Sequence, residues 1–181
     1  GGRHKVSRLI ACLNILVYIC NMDYEQFLKT KKHVSVMEGF EPVYTPDFLF
    51  DFQQAAHVQA CQSGRRAIFF DTGLGKTLIE LCLAVNYKMY TGKPTLIIKP
   101  LAVAFQFIGE AEKFGIPGGV EYSREGKYSA DIIICNYERL HLFNSSDFGC
   151  VILDESSILK NEKGAIRGLV TDFMKKVKYK F

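Results

Sequence analysis

The residues whose spacing carries the most chemistry are Gly73, Gly75, Lys76 and Thr77, within the stretch FDTGLGKT at positions 70–77. Glycines spaced in this way free backbone N–H groups to wrap an oxyanion. A lysine at this point reaches the β and γ oxygens of a triphosphate, and the threonine hydroxyl is a Mg²⁺ ligand. The strict phosphate-loop pattern, G-x-x-x-x-G-K-[ST], fails at its first position, where Phe70 stands. The relaxed form is met, with Thr72, Gly73, Leu74, Gly75, Lys76 and Thr77 as the residues expected to hold the nucleotide. A helix starting near Lys76 would aim its N-terminal N–H groups at the same anion. The blander alternative is a glycine turn that caps a helix and leaves Lys76 in solvent.

A second group lies downstream in VILDESS, positions 151–157. An apolar run ending in Asp-Glu reads as a strand that delivers two carboxylates to the C-terminal edge of a parallel sheet, where ligands of such sheets bind. Asp154 suits Mg²⁺, which favours one or two carboxylates together with phosphate oxygens and water. Glu155 suits the positioning and deprotonation of an attacking water. Taken alone, the pair is also what a polar strand end capping a turn looks like.

The elements that must position these groups alternate along the chain. Short β-rich runs at Ala67–Phe70, Thr95–Ile98, Val120–Tyr122, Asp131–Cys135 and Cys150–Leu153 read as strands, several without polar alternation, as expected when both faces are covered. Helices are expected at Phe52–Ser63, Lys76–Tyr90, Val103–Phe114 and Lys163–Lys176, and the last carries Ala165, Ile166, Leu169, Val170, Phe173 and Met174 at helical spacing on one side. This alternation predicts an α/β fold of three layers, with a mainly parallel central sheet and right-handed crossovers.

Composition narrows the class. The 181 residues are 48% hydrophobic and 23% charged, enough for one domain with a real core and against wholesale disorder. The net charge of +4 is uneven: residues 1–33 hold 6 basic against 2 acidic groups, residues 160–181 hold 7 against 2, and the middle holds 10 against 15. Basic ends suit either nucleic acid or plain solvation. None of the 6 cysteines forms a C-x-x-C pair. They read as small buried hydrophobes in a reducing compartment. The apolar stretch Leu9–Cys20 is too short to span a bilayer. Residues 1–21 are expected to be an upstream or artificial extension, or else an amphipathic helix packed on the domain. Residues 22–48 read as a lead-in and residues 49–181 as the ATP-binding lobe.

At this point the chain resembles the superfamily 2 helicases and translocases, more narrowly the Swi/Snf-like group, and within it phage-type DEAD/DEAH-like helicases. The likeness runs from about Leu49 to the end in five ordered matches, the first two within one stretch. They are the aromatic-Gln pair with the phosphate loop in LFDFQQAAHVQACQSGRRAIFFDTGLGKTL, KPLAVAFQFIGEAEKFGI, CNYERL, and VILDESSILKN with DESS where relatives carry DEAD or DEAH. The resemblance implies a RecA-like P-loop NTPase lobe that uses ATP and Mg²⁺. In it Lys76, Asp154 and Glu155 act on the phosphates, Thr77 and Asp154 hold the metal largely through water, and Gln53 reads adenine. It also implies that Lys99, Pro100, Leu101 and Asn136 touch nucleic acid, DNA rather than RNA by preference. Phe70 departs from the family by standing before the loop in place of a small residue. Lys99 stands where a small apolar residue is commoner, and there suits an added phosphate contact.

A Ser/Thr-Ala-Thr motif and a second RecA-like lobe with an arginine finger are expected beyond Val177–Phe181. The isolated chain is therefore expected to bind ATP and hydrolyse it weakly, as part of a motor in bacterial or phage-infected cytoplasm, with no membrane partner. Two alternatives stay open: a P-loop ATPase that never touches nucleic acid, and a non-catalytic ATP-binding remnant. His57 reads as surface or packing, and His33 and His141 have no ligand-spaced partner. Arg65 and Arg66 read as solvated or near the nucleotide, and Tyr137-Glu138-Arg139 as structural or facing nucleic acid. Phe69, Phe105, Phe107 and Phe173 read as core.

Overall fold

A computed structural model describes residues 38–71, 73–154 and 164–181, within the unit Met37–Phe181. Thr72, Glu155, His33, Cys12 and Cys20, and the proposed extension at 1–21, lie outside the described residues.

The apolar runs form a parallel sheet. Its strands are β1 (Thr95–Ile98), β2 (Val120–Tyr122), β3 (Ile132–Cys135), β4 (Cys150–Leu153) and β5 (Tyr179–Lys180), in the spatial order β2-β3-β1-β4-β5. All four pairings are parallel, and β1 sits at the centre with Ile98 beside Cys135 on one side and Leu153 on the other. β1 and β3 are buried at every position, which is why they read as unbroken apolar runs. Side chains alternate between two cores. Ile97, Ile132, Ile134, Cys150 and Ile152 face one layer, while Leu96, Ile98, Ile133, Cys135 and Val151 face the other.

The first layer holds α1 (Asp51–Ser63), α2 (Lys76–Thr91) and α3 (Leu101–Lys113); the second holds α4 (Ala165–Lys175) and a 3₁₀ segment, Tyr137–Leu142. α4 buries Val170 and Phe173 and packs Ile166, Leu169 and Met174 against that second core, the stripe its sequence spacing requires. The three-layer α/β architecture is thus the expected one. Cys61, Cys82, Cys135 and Cys150 are free and buried. Among the described residues no helix is long and apolar enough to cross a membrane.

Two expectations are corrected. Ala67–Phe70 is not a buried strand. Only Arg65 bridges to Lys180, with Arg66 N–H donating to the Lys180 carbonyl at 3.3 Å. β5 pairs over two residues, so the ladder that Ala67–Phe70 would join has no further rungs, and Phe69 is left 82% exposed. Phe105 is also exposed rather than core. Ala104, Phe107 and Ala111 share the face of α3 turned to the sheet, and Phe105 falls off that stripe.

α1 is pinned to α2 by a buried polar knot. Asn86 Nδ2 donates to the Tyr44 carbonyl at 2.6 Å and to the Cys82 carbonyl at 3.0 Å, and lies 3.1 Å from His57 Nε2, while Asn86 Oδ1 accepts from the N–H groups of Val43 and Tyr44. His57 is thus a packing residue, fully buried, with Nδ1 lacking a partner among the described residues. Desolvation holds its pKa below the ordinary 6.5, with the Tyr44 carbonyl opposing. The sign follows directly. As pH falls below 6.5 the unfolded chain takes up a proton that the native state refuses, so stability is present above that pH and lost beneath it. Thermal melts between pH 8 and 5 should show the native chain losing up to about 1.4 kcal/mol per pH unit relative to His57→Leu. Parallel pH curves for the two proteins would show that His57 does not titrate on unfolding.

Candidate functional site

α2 begins where the glycines allow a sharp turn. Gly75 is its N-cap with φ 69°, a left-handed conformation, and no side chain caps the helix. Leu78 N–H donates to the Gly75 carbonyl at 3.2 Å, and the N–H groups ahead of it in the first turn are those placed for an anion. Lys76 folds back over the loop, its Nζ donating to the Phe70 carbonyl at 2.8 Å and the Asp71 carbonyl at 3.1 Å. Thr77, second in the helix, is half-buried. Gly73 also has a positive φ, 83°, and Leu74 stands exposed between the two glycines.

Gln53 lies beneath this loop, 2% exposed. Its Oε1 accepts from the Phe50 N–H at 2.9 Å, the reach-back of an N3 side chain to a helix start, and its Nε2 donates to the Leu74 carbonyl at 3.0 Å. The amide therefore ties α1 to the loop. A Cβ on Gly75 would collide with Gln53 Nε2.

The opposite wall comes from the sheet. Ile98 of β1 pairs with Leu153 of β4, so the next residues, Lys99 and Asp154, stand side by side at the C-terminal edge. Two residues on from Ile97 and Ile152, both side chains turn to the α2 layer. Lys99 Nζ lies 3.1 Å from Asp154 Oδ2 and 3.5 Å from Glu80 Oε2, and sits 3.6 Å from the centre of the Phe107 ring. Glu80 follows Lys76 by one helical turn and so faces the same space. Burial raises the Glu80 carboxyl to about 7, with Lys99 pulling it down and Asp154 pushing it further up. Glu80 Oε2 has no hydrogen-bond partner among the described residues. Tyr137 Oη donates to the Asp154 carbonyl at 2.8 Å and fixes that strand end.

Lys76, Glu80 and Asp154 line one cleft of about 690 Å³, together with Phe70, Asp71 and Leu153. That size suits a small-molecule ligand. The structure therefore brings together Lys76 and Asp154, which sequence spacing selected, and adds Glu80, which it did not. Arg66 also lines the cleft, whereas Arg65 is exposed and paired with Glu38 at 3.4 Å.

The residues fit Mg²⁺ in one form only. Among the described residues no group of three His, Cys, Asp or Glu side chains is placed to cage a metal. One carboxylate, Asp154, is 23% exposed and lines the cleft with Lys76 of α2, whereas Thr77 is not among the residues that line it. Such a donor set requires a ligand's own oxygens to complete the shell.

The residues expected at nucleic acid divide. Pro100 caps α3 and Leu101 is exposed at its start. Asn136 lies at the adjacent end of β3, accepting from Tyr122 Oη at 3.0 Å and donating to Glu138. Lys99 is instead 3% exposed and turned inward, because the register with β4 and the facing Glu80 hold it there.

No family model matches the sequence. The sequence is 30% identical over 128 residues to the SWI/SNF-related matrix-associated actin-dependent regulator of chromatin subfamily A-like protein 1 of Xenopus tropicalis, covering 65% of this chain and 13% of that protein. The SWI2/SNF2 ATPase core of Sulfolobus solfataricus, solved in complex with dsDNA, is similar at TM-score 0.61 and 23% identity, over 79% of this chain and 32% of that one. The UvsW helicase of bacteriophage T4 is similar at TM-score 0.61 and 16% identity, over 89% and 59%. The chain thus spans a minor part of the Xenopus relative. The sequence match is in line with the likeness carried by the motifs, and the solved structures share the fold, a parallel sheet with helices on both faces.

Gly75→Ala should cost markedly more stability in urea unfolding than Gly92→Ala. Both sites have positive φ, 69° and 71°, but a Cβ on Gly92 meets open space. About 1–2 kcal/mol is expected at Gly92 from backbone conformation alone, with a further increment at Gly75 from displacing Gln53. Equal losses would mean that the Gln53 tie is not rigid.

Proposed function

We propose that this Swi/Snf-like superfamily 2 chain is the ATP-binding RecA-like lobe of a DNA helicase or translocase. The observation that carries the reading is the meeting of Lys76 and Asp154 in one cleft, from motifs far apart in sequence, at the carboxyl edge of a parallel sheet. Lys76 exchanges the Phe70 and Asp71 carbonyls for phosphate oxygens, and the uncapped first turn of α2 supplies N–H groups to the same phosphates. Thr77 and Asp154 hold Mg²⁺ largely through water; when bound, the ion neutralises charge on the phosphates. Glu155 orients and deprotonates the attacking water, and the loop contributes Thr72, Gly73, Leu74 and Gly75. For Gln53 to read adenine, its amide has to leave the Leu74 carbonyl for the base.

Coupling to movement needs a second RecA-like lobe whose arginine finger stabilises the transferring phosphoryl, a contribution of about 10³–10⁵ in rate where such fingers act. A lobe of this kind without its second lobe binds ATP and turns it over weakly. The Sulfolobus relative's complex with dsDNA supports DNA as the track, with Pro100, Leu101 and Asn136 at the edge that meets it. RNA is the second candidate track. The inward turn of Lys99 removes one expected phosphate contact and to that extent favours the other reading, a P-loop ATPase acting on something else.

Titration with a fluorescent ATP analogue in Mg²⁺ should show saturable binding that weakens at least about tenfold in Lys76→Ala, since a charged hydrogen bond contributes about 1.5–3 kcal/mol. Unchanged affinity would remove the site. Binding to duplex DNA at low salt that fades as salt rises separates the motor from its rival; no affinity for any nucleic acid would leave the rival standing.

A further inference from the structure

Lys99 is a charge in an unusual place. It is 3% exposed, clamped between Asp154 Oδ2 at 3.1 Å, Glu80 Oε2 at 3.5 Å and the Phe107 ring at 3.6 Å. Phe107 is itself 2% exposed, so the ammonium has no route to solvent on that side. Parallel register fixes its backbone directly beside that of Asp154. The cation can therefore neither snorkel away nor be replaced by water, and its nearest anion is the carboxylate read above as the metal-binding group.

We propose that Lys99 is a positioning residue of the nucleotide site, a tethered cation that competes with Mg²⁺ for the Asp154 carboxylate and so sets how much Mg²⁺ nucleotide binding requires. The proposal rests on the nucleotide-site reading above. One oxygen of Asp154 is held by Lys99, which leaves the carboxylate oriented from the sheet side and partly neutralised before any metal arrives. Glu80 balances Lys99 from α2, which keeps the cation buried without withdrawing it from Asp154. The effect on a divalent ion comes from distance: the ammonium of Lys99 touches Asp154, and Glu80 lies farther off on its α2 side.

The test uses the full chain, a fluorescent ADP analogue and MgCl₂. Nucleotide affinity is measured in EDTA and across a Mg²⁺ titration for the unaltered protein, for Lys99→Met/Glu80→Gln and for Lys99→Gln. The double variant removes both charges, which avoids stranding one buried ion. Lys99→Gln keeps a donor toward Asp154 and covers the case in which the double variant fails to fold. The half-saturating Mg²⁺ should fall by about tenfold or more in the variants, the scale on which a neighbouring opposite charge moves a carboxylate's affinity for a cation. Affinity in EDTA should change less than about twofold. In an Asp154→Asn background the same substitutions should leave the half-saturating Mg²⁺ unmoved, which a general loss of packing would not reproduce. A half-saturating Mg²⁺ that stays or rises in the variants overturns the proposal. Absence of nucleotide binding by the unaltered chain at saturating Mg²⁺ overturns the nucleotide-site reading instead, a result distinguishable from the first.

Discussion

The register of β1 against β4 is the constraint on which the site depends. Pairing Ile98 with Leu153 puts Lys99 and Asp154 next to each other at the one edge of the sheet where backbone ladders end and side chains are free to meet a ligand. A one-residue slip of β4 would turn Asp154 to the α4 layer and away from Lys99, since side chains alternate between the two cores. The register is held by the apolar runs themselves: Ile97 and Ile152 belong to one core, Leu96 and Val151 to the other, and no shifted pairing keeps both cores dry.

α2 couples this edge to the loop. Its buried residues, among them Ile79, Leu83 and Tyr87, seat it on the sheet, so its N-terminus points at the cleft and Lys76 and Glu80 emerge one turn apart into it. α1 then fixes the height of the loop through Gln53, while its own position is set by the Asn86 and His57 knot. The buried charges are a cost the fold carries at this point. An ion pair sealed from water seldom adds net stability compared with apolar packing. Its presence beside the cleft that Lys76, Glu80 and Asp154 line is accordingly easier to understand as chemistry than as scaffolding.

Much of this was legible in the residues. Continuous apolar runs bounded by turn residues define β1 and β4 to the residue, because strands buried on both faces leave an unbroken mark, whereas β2, an edge strand with Glu121 at its centre, is half-buried. The helices are legible for the complementary reason, with Gly92 ending α2 in a left-handed cap. Lys76 and Asp154 are legible because their chemistry depends on local spacing. Three features are not. Ala67–Phe70 has the composition of a strand, but strand formation needs a partner, and β5 offers only a two-residue ladder. Phe105 is apolar on an apolar helix, and only the stripe of Ala104, Phe107 and Ala111 shows that it faces outward. The contact of Lys99 with Glu80 and Asp154 joins three segments distant in sequence. It follows only once the register is known, so a lysine at a loop start reads from sequence as a surface phosphate contact.

The account turns on whether the loop, α2 and the end of β4 form one anion and metal site. Backbone amide NMR during titration with ADP and Mg²⁺ measures this most directly. The account requires large shifts at Gly73, Gly75, Lys76 and Thr77, joined on adding Mg²⁺ by Asp154 and Lys99, with β2 and the far end of α3 unmoved. Shifts confined to other surfaces, or a loop that responds to nucleotide while Asp154 stays silent to Mg²⁺, would contradict it.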